Sequence, residues 1–379
     1  MASGRSLVSP TSSPALERAL GDKLQRRKEA GGSLGELEPL AIRLGLMQNS
    51  LKPRLHDPQL LVFAADHGLA VDGIQPPGSQ GRLAGRTTHE TVRMLLTNQL
   101  PLTVFARAQR IAVAVVDCGV AEKLQPHERL LMRKIAHGTR NTRANSAMSL
   151  DQAHAGMRAG MEIGDKLKGN VTVLAGVGVG ANESAALVLS RLTDSPVRDL
   201  VVSGPEMSAE HLAHLMVVLQ GAQGRHREVA EPVEVLAAFG GFEVAVMVGV
   251  MLMAASKRHL LIVDGMPACA ALMLAARIAP AVTDYCMFCR SHGHRGLDQA
   301  LNLFRASALL ELGMESTDGT GATLAWPLVK SAAALLTEVA EGEEPGPTQP
   351  GDLVDEGVAE PFEPDVEPAK PPPFGDALY

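Results

Sequence analysis

Four short runs along this chain close in residues able to bind or react: Asp66-His67-Gly68, Asp117-Cys118-Gly119, Ala175-Gly176 and Asp264-Gly265. Each sets a carboxylate or a bare glycine backbone at a turn. A carboxylate accepts protons and steadies positive charge. Glycine amides at the start of a helix bind anions such as phosphate. Gly138-Thr139-Arg140-Asn141 joins backbone amides to a guanidinium, a set suited to an anion, although Arg140 serves equally well in a surface ion pair. Cys286, Cys289, His292 and His294 are four soft ligands in one short stretch, and Cys-x-x-Cys is a zinc half-site. Its two histidines follow so closely that a single tetrahedral site would be cramped. No metal site is expected there, and no cofactor.

The elements that carry these residues read as alternating strands and helices. Apolar runs at Gln59–Ala65, Ile111–Asp117, Val171–Ala175, Leu200–Ser203 and Leu260–Asp264 are short enough for buried strands. Helical patterns cover about Pro14–Glu29 and Leu34–Leu51, then Thr88–Ala108 with an interruption near Pro101. Further windows lie at 150–168, 183–193, 208–221, 232–255 and 265–279. Such alternation implies an α/β fold with a mostly parallel sheet covered on both faces. In sheets of that kind ligands sit beyond the C-terminal strand ends, where the four runs close.

Composition narrows the function. The formal net charge of −7 argues against a nucleic-acid partner, which needs a basic face. The most apolar stretch, Val244 to Ala255, is too short to span a membrane. No signal peptide is visible, and four cysteines are too few for a disulfide scaffold, so a cytoplasmic protein is expected. Residues 1–12 are Ser/Gly/Pro-rich and 341–379 are rich in Glu and Pro; both are expected to be disordered.

Several segments taken together resemble one family. They are VFAADHGLAVDG (62–73), GTRNTRANSAMS (138–149), GVGVGANESAA (176–186), GGFEVAVMVGVMLMAASKRHLLIVDG (240–265), RSHGH (290–294) and ELGMESTDGTGATLAWPL (311–328). One glycine-rich motif would be weak; six in order, spread between about 35 and 339, are specific. The chain is identified as similar to the nicotinate-nucleotide:dimethylbenzimidazole phosphoribosyltransferases. The resemblance implies a homodimer with a Rossmann-like three-layer αβα domain over 56–295. A smaller helical domain would be built from 13–55 together with 296–340. The implied substrates are nicotinate mononucleotide and 5,6-dimethylbenzimidazole or a related azole base. The implied products are nicotinate and α-ribazole 5′-phosphate, in cobalamin biosynthesis.

The resemblance also assigns site residues. The family's general base is the glutamate of a Gly-Glu-Gly turn, which here reads Thr317-Asp318-Gly319-Thr320-Gly321, leaving Asp318 as the candidate base. Asp318 is equally read as a helix cap, where Asp is favoured. The substrate-binding candidates are Asp66, His67, Arg86, Arg93, Gly138, Thr139, Arg140, Gly176, Gly178, Gly180, Asp264, Ser291, Gly319, Thr320 and Gly321. Departures accompany the match. A second family glutamate falls on Gly176 or Val177, with Glu183 nearby as a substitute or as a first-turn helix residue. The phosphate lysine falls on Leu215 and an arginine on Glu315, while Arg86 and Arg93 stand for a serine and a glutamine. Phosphate binding is therefore expected to move to Arg86, Arg93 or Arg140. The same departures raise an alternative: a catalytically impaired paralogue that binds a nucleotide or base as a sensor or heterodimer partner.

Overall fold

The computed structural model describes residues 7–74, 86–201, 207–291, 295–314 and 316–339. The expected disordered tail, 341–379, and His292 and His294 of the Cys/His run lie outside those residues, as does Glu315. Buried apolar runs become the strands β1 (Gln59–Ala65), β2 (Ala112–Gly119), β4 (Val171–Val177) and β5 (Leu260–Asp264). Three more are β3 (Leu130–Met132), β6 (Cys286–Ser291) and β7 (Ala308–Glu311). The seven form one sheet in the order β3-β2-β1-β4-β5-β6-β7, every pair parallel. Every residue of β4 and β5 is buried, as a strand covered on both faces must be.

Two helical layers provide that cover, and neighbouring residues of β4 reveal both. Gly176 faces Pro267 and Met247, on the helices α11 (Met266–Ile278) and α10 (Phe242–Ser256). Ala175 points the other way, against Gly319 beside Leu102. Those two residues belong to the start of α13 (Thr320–Thr337) and to α4 (Pro101–Ala108). The result is a three-layer α/β/α unit. On the first face α5 (Leu150–Asp165) crosses α10 at a pair of glycines. A Cβ on Gly160 would lie 2.0 Å from the Val246 carbonyl, and one on Gly249 2.0 Å from that of Met157. On the second face α13 packs on α2 (Leu37–Gln48) and α4.

Four readings of the sequence change. The window 88–108 is two helices, α3 (Thr88–Leu96) and α4, because Pro101 begins a new first turn. The window 232–255 divides at Gly240-Gly241 into α9 (Pro232–Phe239) and α10. Leu200 closes a short helix, α7 (Val197–Leu200), where a strand over 200–203 was expected; residues 202 and 203 lie outside the description. An apolar run of that length does not by itself distinguish strand from buried helix end. Within 296–340, read as part of a helical domain, Ala308–Glu311 pairs with β6 and joins the sheet. Among the described residues, no helix is long and apolar enough to cross a membrane.

His259, just before β5, is buried, and its Nδ1 lies 3.3 Å from Thr172 Oγ1. Burial, reinforced by the charges of Lys257 and His56, pulls its pKa down to about 4. The native ring therefore stays neutral in a range where the unfolded chain, with an ordinary histidine near 6.5, takes up a proton. Stability from this group is complete above that value and falls as pH drops from there toward 4. The loss is on the order of 1–3 kcal/mol. Urea midpoints at about pH 7 and pH 5 should show a smaller acid loss in His259→Gln than in the wild type.

Candidate active site

The C-terminal ends of β1, β2, β4 and β5 lie side by side. Ala64 pairs with Asp117 on one side and Val177 on the other, and Ala175 pairs with Asp264. Strand order reverses between β1 and β4, the place where open α/β sheets bind ligands. The glycine-rich turn after β4 is threaded through a narrow gap there. A Cβ on Gly178 would lie 1.9 Å from the Ala65 carbonyl, so only glycine fits. Gly180, at φ +89°, sits directly over His67 and begins α6 (Ala181–Thr193).

Asp66 is committed to holding this region together. Its Oδ1 accepts from Thr88 Oγ1 at 2.5 Å and its Oδ2 from the Ala121 amide at 2.7 Å. Thr88 Oγ1 also accepts from the Val179 amide at 3.0 Å, which ties α3 to the glycine-rich turn. The Gly138-Thr139 segment lies across the same strand end, with the Thr139 amide donating to the Asp66 carbonyl and Thr139 Oγ1 accepting from Gly68 N. Arg140 is exposed, and its Nε donates to the Ser146 carbonyl at 2.9 Å. Asn141 instead reaches Asp72, which also pairs with Arg143 at 3.2 Å.

A second cluster meets the first across β4. Asp264 ends β5 fully buried, and its Oδ2 accepts from the Gly319 amide at 2.9 Å and the Ala322 amide at 3.1 Å. A helix starts with amides that have no partner in the helix, and Asp264 satisfies two of them for α13 from a different element. The N-cap residue, Gly319, offers no side chain for that task. Asp264 is thus a capping carboxylate for α13 that comes from the end of β5. The Asp318 carboxylate lies against Gly265, where a Cβ would fall 2.0 Å from Oδ2. Thr320 Oγ1 turns back to the Thr317 carbonyl at 2.6 Å, and Gly321 is buried behind it.

Residues 9–346 match the model of a phosphoribosyltransferase family. The chain belongs to that family. It is 36% identical over 340 residues to the nicotinate-nucleotide–dimethylbenzimidazole phosphoribosyltransferase of Janthinobacterium sp. (strain Marseille), covering 88% of this chain and 96% of that protein. It is 39% identical to the enzyme of the same description from Cupriavidus taiwanensis, over 86% and 92% of the two chains. The crystal structure of the Thermus thermophilus phosphoribosyltransferase of that description superposes with a TM-score of 0.78 at 28% identity. That superposition covers 86% of this chain and 96% of the other.

Within this phosphoribosyltransferase, the remaining candidates fall in different places. Arg86 is half-buried just ahead of the capping box that starts α3, and Arg93 is exposed in the last turn of that helix. Leu215 is a fully buried core residue of α8 (Ala209–Arg225). Ser291 is the last residue of β6, but its side chain lies outside the description. Cys286 and Cys289 are both buried in β6, and an odd spacing along a strand turns them to opposite faces. Burial pushes the Cys286 thiol up to about 12. Glu183 lies in the first turn of α6; burial holds its carboxyl above the ordinary value, with His67 opposing.

Sequence reasoning passed over Thr88 and the capping role of Asp264. Thr88 sits beside a legible capping box, Thr87 with Glu90, but its partners come from distant strand ends. Gly176 proves to be a packing glycine: a Cβ there would sit 2.5 Å from Pro267 Cβ. Gly176→Ala should therefore lower stability by about 1–3 kcal/mol, read as a fall in Tm. Gly176→Glu should fold worse still and restore no carboxylate to the site.

Proposed function

We propose that this chain transfers the phosphoribosyl group of nicotinate mononucleotide to 5,6-dimethylbenzimidazole or a related azole base. The ring nitrogen of the base attacks C1′ and forms the new N–C bond. The C1′–pyridinium bond breaks, and its electron pair neutralises the ring, releasing nicotinate. The other N–H proton of the attacking base must leave, and Asp318 is the acceptor. The reaction balances without metal or organic cofactor. The observation that carries this reading is the position of the Asp318 carboxylate among the strand ends. Asp264 accepts from the Gly319 and Ala322 amides at the start of α13, and the Asp318 carboxylate lies against Gly265 at the end of β5.

Positive charge builds on the ribose as the leaving group departs, and Asp318 also steadies that charge. The glycine amides of 178–180 and the helix start behind them are the phosphate cradle in this reading, with Arg86, Arg93 and Arg140 as supplementary cations. Asp66, Gly138, Thr139 and Asp264 hold the walls. Two copies of the chain form the assembly, which its mass in solution reads out. The purified protein should release nicotinate only when an acceptor base is present. Assays with benzimidazoles, imidazoles and phenols rank the acceptors. Nicotinate release that ignores the base, or no release with any of them, would contradict the proposal. The impaired-paralogue reading draws on Gly176, whose packing leaves no room for a second carboxylate, and it predicts binding of nucleotide without turnover.

A further inference from the structure

Beneath the glycine-rich turn lies a buried ionisable cluster that the transfer chemistry does not use. His67 and Glu243 are enclosed, with side-chain exposures of 2% and 0%. His67 Nε2 and Glu243 Oε1 are 3.1 Å apart. Among the described residues, neither oxygen of Glu243 accepts a well-aligned hydrogen bond, and the His67 Nε2 donates none. A carboxylate taken out of water needs a compensating charge, and the imidazolium beside it supplies one. The Glu243 carboxylate also lies against the backbone of Gly241, the residue that begins α10.

His67 links this pair to the turn in two ways. Its amide donates to the Val179 carbonyl at 3.3 Å. Its Cβ lies under Gly180, where any added Cβ would approach to 2.9 Å. We propose that His67 and Glu243 are a pair of positioning residues, fixing the turn Val177–Gly180 where it receives the nucleotide. The proposal rests on the phosphoribosyl-transfer reading of the turn. Neither residue touches substrate. They act through the backbone of residues 179 and 180.

The charge state of His67 is set by groups on every side. Burial alone would lower its pKa; Glu243 from α10, Asp66 from its own segment and Glu183 from α6 more than offset that, and hold it above the ordinary histidine value. Asp117 and Cys118 at the end of β2 are the other ionisable neighbours of Glu243's surroundings, and burial first, then Glu243 and Asp117, raise the Cys118 thiol well above its usual range. The ion pair exists below the raised pKa of His67 and dissolves as pH climbs through it. Without Glu243 the same transition should move to lower pH.

The test is calorimetric binding of nicotinate mononucleotide, with no acceptor base present, across about pH 6 to 9. Wild type is compared with Glu243→Gln, His67→Gln and the double variant, each checked for its Tm. We expect each single change to weaken nucleotide Kd about tenfold, and the double variant to be no weaker than either. The alkaline loss of affinity in the wild type should shift to lower pH in Glu243→Gln. A nucleotide Kd within about twofold of wild type, with only Tm lowered, would overturn the proposal, as would additive losses in the double variant. Wild type that binds the nucleotide but never transfers it would sink the transfer reading alone. Wild type that does not bind the nucleotide would sink both.

Discussion

Asp318→Asn should lower turnover by about 10²–10⁴-fold while leaving nucleotide affinity and Tm close to wild type, since loss of a general base acts on the chemical step. Asparagine keeps the shape of the side chain and removes proton acceptance. Were Asp318 a helix cap, asparagine would serve nearly as well and the change would be silent. Asp264 already accepts from two amides at the start of α13, those of Gly319 and Ala322. Asp318→Glu should raise turnover, because the aspartate is one methylene shorter than the family's glutamate, a displacement of about 1 Å that can cost ~10²-fold. Steady-state kinetics of the three proteins decide the matter. Equal rates would take Asp318 out of the mechanism.

Asp264→Ala should be damaging twice over. It strips the acceptor from the amides of Gly319 and Ala322, both buried. An orphaned buried donor costs about 1–3 kcal/mol, so the pair should cost on the order of 2–4 kcal/mol in stability. The turn carrying Asp318 then loses its anchor to β5, and turnover should fall by about 10²-fold or more in the protein that still folds. Asp264→Asn keeps one carbonyl acceptor and should recover most of the stability. Chemical denaturation and kcat, measured on both variants, separate the two effects. An Asp264→Ala protein as stable and active as wild type would show that the α13 start is held by other contacts.

Much of this architecture is legible in the order of residues alone. Gln59–Ala65 and Leu260–Asp264 are apolar runs too short for helices, closed by Asp and Gly, and a buried parallel strand ends in that way. What the sequence does not display is partnership over distance. Asp264 and Gly319 are 55 residues apart, and no local pattern says that one caps the helix of the other. Thr88 reads as the residue after a capping Thr; its hold on Asp66 and Val179 exists only once α3 meets the strand ends. Glu243 reads as a first-turn glutamate near two glycines, and only burial makes its pairing with His67 obligatory. Cys286 and Cys289 mislead in the opposite sense. Their spacing is that of a ligand pair, yet the strand that contains them parts their thiols. Leu200 fails for a simpler reason, since a short apolar run fits either kind of element.

The most direct test of the account follows the ribose itself. Nicotinate mononucleotide labelled with ¹³C at C1′ is mixed with the purified chain and 5,6-dimethylbenzimidazole, and the label is watched by NMR. The account predicts that the C1′ signal leaves the pyridinium and reappears bonded to the benzimidazole nitrogen as α-ribazole 5′-phosphate. Free nicotinate should accumulate in equal amount, and Asp318→Asn should slow both changes together. Label that ends on free ribose 5-phosphate, or that stays on the bound mononucleotide with base present, would contradict it.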